Sequence, residues 1–135
     1  MVTAITGKWK LESSENFDKY MEVLGISWHT RKIGLIAKPV VTFTISNDQW
    51  KMITDSPIKR MEVSFKLGEE VECQTPYKVK TISVFTIVDE TILRETQKQD
   101  DEIITIIDRQ LDINDQLIAT CTAKDIVSKR VYKRL

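Results

Sequence analysis

Ser128-Lys129-Arg130-Val131-Tyr132-Lys133-Arg134, at the end of the chain, decides what kind of β-structure the sequence can build. Ile126, Val127, Val131 and Tyr132 favour an extended strand, and in a strand the residues at i and i+2 share a face. Ser128, Arg130 and Tyr132 therefore point one way. The Cα atoms of Arg130 and Tyr132 stand roughly 6–7 Å apart, from a rise of about 3.3 Å per residue, so a guanidinium and a phenol can both donate to one carboxylate. Facing inward, the pair is an anion site; facing water, it is two ordinary surface residues. A second late stretch poses the same choice, because Ile107, Arg109 and Leu111 share a face and a charge interrupts the apolar residues. A sandwich core does not take two arginines, since an unpaired buried charge costs several kcal/mol. A barrel around a ligand cavity has a use for them.

The strands needed for such a barrel lie upstream. Met61-Glu62-Val63-Ser64-Phe65-Lys66-Leu67 is apolar at odd positions and polar at even ones before Gly68-Glu69, so one face of that strand meets water. Val41, Phe43 and Ile45 alternate ahead of Asn47-Asp48, and Trp50, Met52 and Thr54 alternate ahead of Asp55-Ser56-Pro57. Further turns are expected at Thr75-Pro76, Asp89-Glu90, Gln99-Asp100-Asp101, Asn114-Asp115 and Lys124-Asp125, leaving about ten strands of the usual 5–10 residues. Strands that never alternate with helices predict an antiparallel meander, and a meander of many short strands hides its edges by closing.

Helical spacing occurs only near the start. Gly7-Lys8-Trp9-Lys10-Leu11 opens the first strand, with Trp9 an apolar seal at one end of the core. Phe17, Tyr20, Met21 and Leu24 then fall at i, i+3, i+4 and i+7, with Ser14 or Asn16 as candidate cap and Gly25 as stop. A second helix is expected from Ser27 to Ala37, ending before Pro39 because the residue ahead of proline avoids helical dihedrals. Together they make a helical hairpin able to cap one mouth of the barrel.

The 135 residues are near the commonest domain size, and 20 basic against 20 acidic residues give no electrostatic footprint for nucleic acid. The N-terminal residues lack the apolar run of a signal peptide and no stretch approaches the roughly 20 apolar residues of a membrane span, so a cytoplasmic protein is expected. Cys73, Cys121 and the single His29 have no metal-ligand spacing, and two cysteines make no disulfide framework. No carboxylate pair has a spacing suited to acid/base work, and no nucleophile stands beside a base. A metal, a cofactor and catalysis are therefore not expected.

In an ordered set of motifs the chain resembles the intracellular lipid-binding proteins, and among them the cytosolic fatty-acid-binding proteins. These are Gly7-Lys8-Trp9-Lys10-Leu11, Ser14-Glu15-Asn16-Phe17-Asp18-Lys19-Tyr20-Met21 with Leu24-Gly25, Thr30-Arg31-Lys32-Ile33-Gly34 with Lys38-Pro39, Ser64-Phe65-Lys66-Leu67-Gly68-Glu69-Glu70, and Arg130-Val131-Tyr132. The resemblance spans nearly the whole chain. It implies a single all-β domain over residues 1–135, a clam-like up-and-down barrel of ten antiparallel strands with a two-helix lid at about 16–37 enclosing a ligand cavity. It also implies a monomeric, non-enzymatic carrier of long-chain fatty acids.

By the same resemblance Arg109, Arg130 and Tyr132 bind the ligand carboxylate, Arg109 being the second inward arginine, ahead of Gln110-Leu111, and Phe17, Tyr20, Met21, Leu24 and Ile58 line the lid and portal. Three departures fall at the portal: Leu35, Pro57-Ile58 and the short turn at Thr75-Pro76-Tyr77. Thr122-Ala123-Lys124-Asp125-Ile126-Val127 is similar to the retinoic-acid carriers, so retinoic acid is an alternative ligand; an isomerase of a bound lipid is the competing class. Lys19, Arg31, Lys32 and Lys38 either solvate the lid or dock it transiently on anionic membranes.

Overall fold

Alternation and turn chemistry together produce a sheet of ten antiparallel strands. The computed structural model describes residues 1–57, 59–74 and 80–135. After a short 3-10 turn, Val2–Ile5, come β1 (Gly7–Glu15), helices α1 (Phe17–Val23) and α2 (Trp28–Ile36), then β2 (Val40–Ser46), β3 (Gln49–Asp55), β4 (Arg60–Lys66), β5 (Glu70–Gln74), β6 (Lys80–Val88), β7 (Ile92–Gln99), β8 (Glu102–Leu111), β9 (Leu117–Ala123) and β10 (Ile126–Arg134). The strand order is β4-β3-β2-β1-β10-β9-β8-β7-β6-β5, so strands consecutive in sequence pair except β4 with β5, and β1 meets β10. Among the described residues no ladder joins β4 to β5, which leaves a nearly closed barrel with one gap. A register shift between Leu11 and Ser13 bends β1, whose first half pairs with β2 while its length follows β10.

The hairpins use residues that tolerate positive φ. Asp89 and Glu90, at φ 51 and 65, and Asp100 and Asp101, at φ 53 and 63, supply consecutive left-handed residues whose twist matches the strands they join. The expected turn at Thr75-Pro76 lies outside the described residues.

One end of the barrel is filled with rings. Phe65 stacks on Phe85 at 3.7 Å between centroids and on Trp50 at 5.9 Å. Trp9, fully buried, donates its indole N–H to the Ile5 carbonyl at 2.8 Å, while the Arg134 guanidinium lies 4.2 Å from its ring. The expected seal is therefore built from both termini of the chain.

The lid covers the other end. Phe17, Tyr20 and Met21 of α1 pack with Ile26, Cys121 and Ala123, as the spacing requires; Leu24 is only half-buried. Of the two candidate caps Asn16 takes the position, without a capping side-chain bond. Ser14 belongs to β1, and Asn16, left-handed at φ 62, makes no cap bond; its side-chain amide instead donates to the Val127 carbonyl at 3.2 Å, tying the lid to β10. The helix ends on Gly25 at φ 81, with Gly25 N–H donating to Glu22 and Ile26 N–H to Met21, a Schellman closure that buries Ile26. Arg31 of α2 then fastens the hairpin, donating to Asp18 at 3.0 Å and to the Ile26 carbonyl at 2.9 Å.

Candidate ligand-binding site

The inward or outward choice posed by the last strand resolves inward. Ser128, Arg130 and Tyr132 are all buried on β10, and Arg109 of β8 is 13% exposed at its side chain. Register aligns them: Arg109 faces Ala119 of β9, and Ala119 faces Arg130. Two strand spacings, roughly 10 Å, thus separate the arginine Cα atoms, with only a methyl group between their side chains. Tyr132 stands in the next inward row, with Leu111 and Leu117. Above the arginines, the lid lowers Phe17 until its ring lies 3.6 Å from the Arg130 guanidinium carbon, a contact in which the π face is drawn to the cation.

A polar layer continues from Arg109 across β7 and β6. Glu95, 3% exposed, accepts from Arg109 Nη1 at 2.8 Å through Oε1, while its Oε2 accepts from Gln97 Nε2 at 2.8 Å and from Ser83 Oγ at 3.5 Å. Burial alone would lower the Arg109 pKa, and the Glu95 carboxylate more than reverses that, so the guanidinium stays charged. Tyr20 and Thr105 hydroxyls meet at 2.6 Å, and because Thr105 spends its proton on the Thr122 carbonyl at 2.8 Å, Tyr20 is the donor. Burial raises the Tyr20 phenol and pushes the Cys121 thiol up to about 11, so both are uncharged at neutral pH.

These groups border a cavity of about 330 Å³, at the lower end of the range for small-molecule sites. Val41, Met52, Met61 and Val63 form an apolar wall opposite Arg109, Arg130, Tyr132, Glu95 and Gln97. Phe17, Tyr20 and Leu24 line the cavity beneath the lid, whereas Met21 is fully buried in the packing between lid and barrel. Ile58 lies outside the described residues. Cys73 and Cys121 are free thiols, and among the described residues no group of three metal-ligating side chains stands close enough to hold an ion.

Sequence reasoning missed Glu95 and Gln97. Both faces of β7 are polar, Leu93-Glu95-Gln97 inward and Arg94-Thr96-Lys98 outward, so polarity does not reveal which face is buried. Only pairing with β8, where Leu93 faces Arg109 and Glu95 faces Ile107, makes the inner face visible.

A nearly closed antiparallel barrel with a helical lid and an inward layer of arginines and tyrosine around a cavity defines a barrel of the carrier class. The chain belongs to the lipocalin / cytosolic fatty-acid binding protein family, whose model matches residues 6–135. It is 42% identical to the adipocyte fatty acid-binding protein of Pygoscelis papua, with 99% of each chain covered. A fatty acid-binding protein of Schistosoma japonicum is 39% identical over 99% of this chain and 100% of its own length. Among solved structures, the Schistosoma mansoni fatty acid binding protein in complex with arachidonic acid superposes with a TM-score of 0.93 at 40% identity, covering 99% of this chain and 98% of that one.

Proposed function

We propose that this chain is a non-enzymatic carrier of long-chain fatty acids, holding the carboxylate at Arg130 and Tyr132 in the layer that also contains Arg109. The observation that carries this reading is the inward placement of Arg130 and Tyr132 on adjacent positions of one face, opposite an apolar wall. Tail burial supplies most of the affinity at about 0.8 kcal/mol per methylene, and the head-group donors fix orientation and charge sign. The ligand enters and leaves unchanged. Lipid extracted from the native protein and identified by mass spectrometry, followed by incubation with one equivalent of that lipid, tests this. Recovery of a long-chain fatty acid unaltered is expected; retinoic acid or a chemically changed product would replace the reading.

The carrier works as a monomer in the cytoplasm and exchanges ligand at membrane surfaces. Among the described residues no helix is long and apolar enough to cross a membrane. Yet α2 leaves Trp28 54% and Ile36 81% exposed, and Lys32 Nζ sits 4.3 Å over the Trp28 ring, so apolar and cationic groups share one outer surface. That combination suits transient contact with anionic lipid. Arg31 is not part of the docking surface, because its charge is spent on Asp18 and Glu22 inside the lid.

A further inference from the structure

The Glu95 carboxylate already holds, against Arg109, the place that a bound acid would take. Resting on the carrier reading above, we propose that Glu95 is the specificity-determining residue of the cavity: it balances Arg109 from within, so that Arg109 acts as a positioning residue while the ligand carboxylate is held at Arg130 and Tyr132.

Three observations carry this. First, both oxygens of Glu95 are engaged, Oε1 by Arg109 and Oε2 by Gln97 and Ser83, which fixes the carboxylate in one orientation. Second, Glu95 lies on β7, the neighbour of β8 on the side away from β10, so the Arg109 Nη1 that donates to it is directed across β7 and not toward Arg130. Third, the buried inward side chains of β7 to β10 carry two positive charges, Arg109 and Arg130, and one negative, Glu95. The Arg109 charge is thus already matched by Glu95 before any ligand binds. For Arg109 to bind the ligand directly it must release Glu95, placing two carboxylates in one poorly solvated site where they repel. Glu95 therefore limits the negative charge that Arg109 can accept from a ligand.

A double-variant cycle on the intact protein tests the assignment, with hexadecanoic acid and hexadecanol as probes. Arg109→Gln leaves Glu95 as an unbalanced anion, so acid affinity is expected to fall at least about tenfold while the alcohol changes little. Glu95→Gln is expected to tighten acid binding severalfold by releasing a positive charge. The double variant is isosteric at position 95, shorter at position 109 and uncharged at both, so it leaves no uncompensated buried charge from the pair. It is expected to recover most of the acid affinity that Arg109→Gln loses. A double variant as weak for the acid as Arg109→Gln alone would make Arg109 a direct anchor and overturn the proposal, as would weaker acid binding in Glu95→Gln. If the wild type binds neither probe, the carrier reading itself fails, which is a different result.

Discussion

Cys121 illustrates how position, not residue type, sets chemistry in this molecule. It lies on β9 where the lid packs, and burial moves its thiol from 9.0 to about 11, which makes it a packing group and not a nucleophile at neutral pH. A folded pKa above the unfolded one gives stability that is fully present below about pH 9 and is lost as pH rises through 11. Urea unfolding should show stability falling by on the order of 2 kcal/mol across that window, and Cys121→Ala should flatten part of the fall. A wild-type profile that stays level would contradict this. The Phe17 ring is at once lid packing and the face laid on Arg130. Phe17→Leu keeps most of the apolar volume and loses the π face, so a loss of about 1–2 kcal/mol in urea unfolding is expected; an unchanged midpoint would mean that the contact contributes nothing.

At the scale of elements, the lid is held by polar pins and the barrel by ladders. Arg31 joins α2 to α1 through Asp18, Glu22 and the Ile26 carbonyl, whereas Lys32 reaches outward over Trp28. The two neighbours should therefore respond differently. Lys32→Glu should slow transfer of a fluorescent fatty acid to vesicles as their anionic lipid content rises, with little effect on stability. Arg31→Gln should lower the unfolding midpoint instead, by about 1 kcal/mol for the hydrogen bonds lost. Equal transfer rates for wild type and Lys32→Glu on strongly anionic vesicles would remove α2 from the exchange step. Most of these elements were legible in the sequence, because strands with one wet face must alternate and the lid helix must present Phe17, Tyr20 and Met21 together. The cap position of α1 at Asn16 was legible but its bonding was not, because the side chain goes to β10 instead of the helix. Glu95 was hidden for a related reason, since a strand polar on both faces carries no local signal of which face turns inward.

For the whole molecule, the barrel solves the problem of keeping two arginines away from bulk water while leaving room for a ligand. Its ring-filled end is closed by Trp9, Phe43 and Phe65, its opposite mouth by the lid, and between them lies a cavity of about 330 Å³ bordered by Arg109, Arg130 and Glu95. Charge inside such a cavity is tolerated because each arginine has a specific environment, Glu95 beside Arg109 and the Phe17 ring over Arg130. Register across β8, β9 and β10 sets the spacing of the anchor, and the small Ala119 leaves space above it. In the proposed function, the layer of Arg109, Arg130 and Tyr132 gives a bound acid its orientation.

In the proposed function Arg130 binds the carboxylate of a fatty acid, and calorimetric titration of hexadecanoic acid and hexadecanol into wild type and Arg130→Gln tests this. A hydrogen bond to a charged group contributes about 1.5–3 kcal/mol, so the acid should bind Arg130→Gln roughly ten- to a hundredfold more weakly. Tyr132→Phe should lose less, because it removes one neutral donor. Hexadecanol, which brings no charge to pair, should bind wild type and Arg130→Gln alike. Equal losses for acid and alcohol, or no loss for the acid, would contradict the assignment of Arg130 as the anchor.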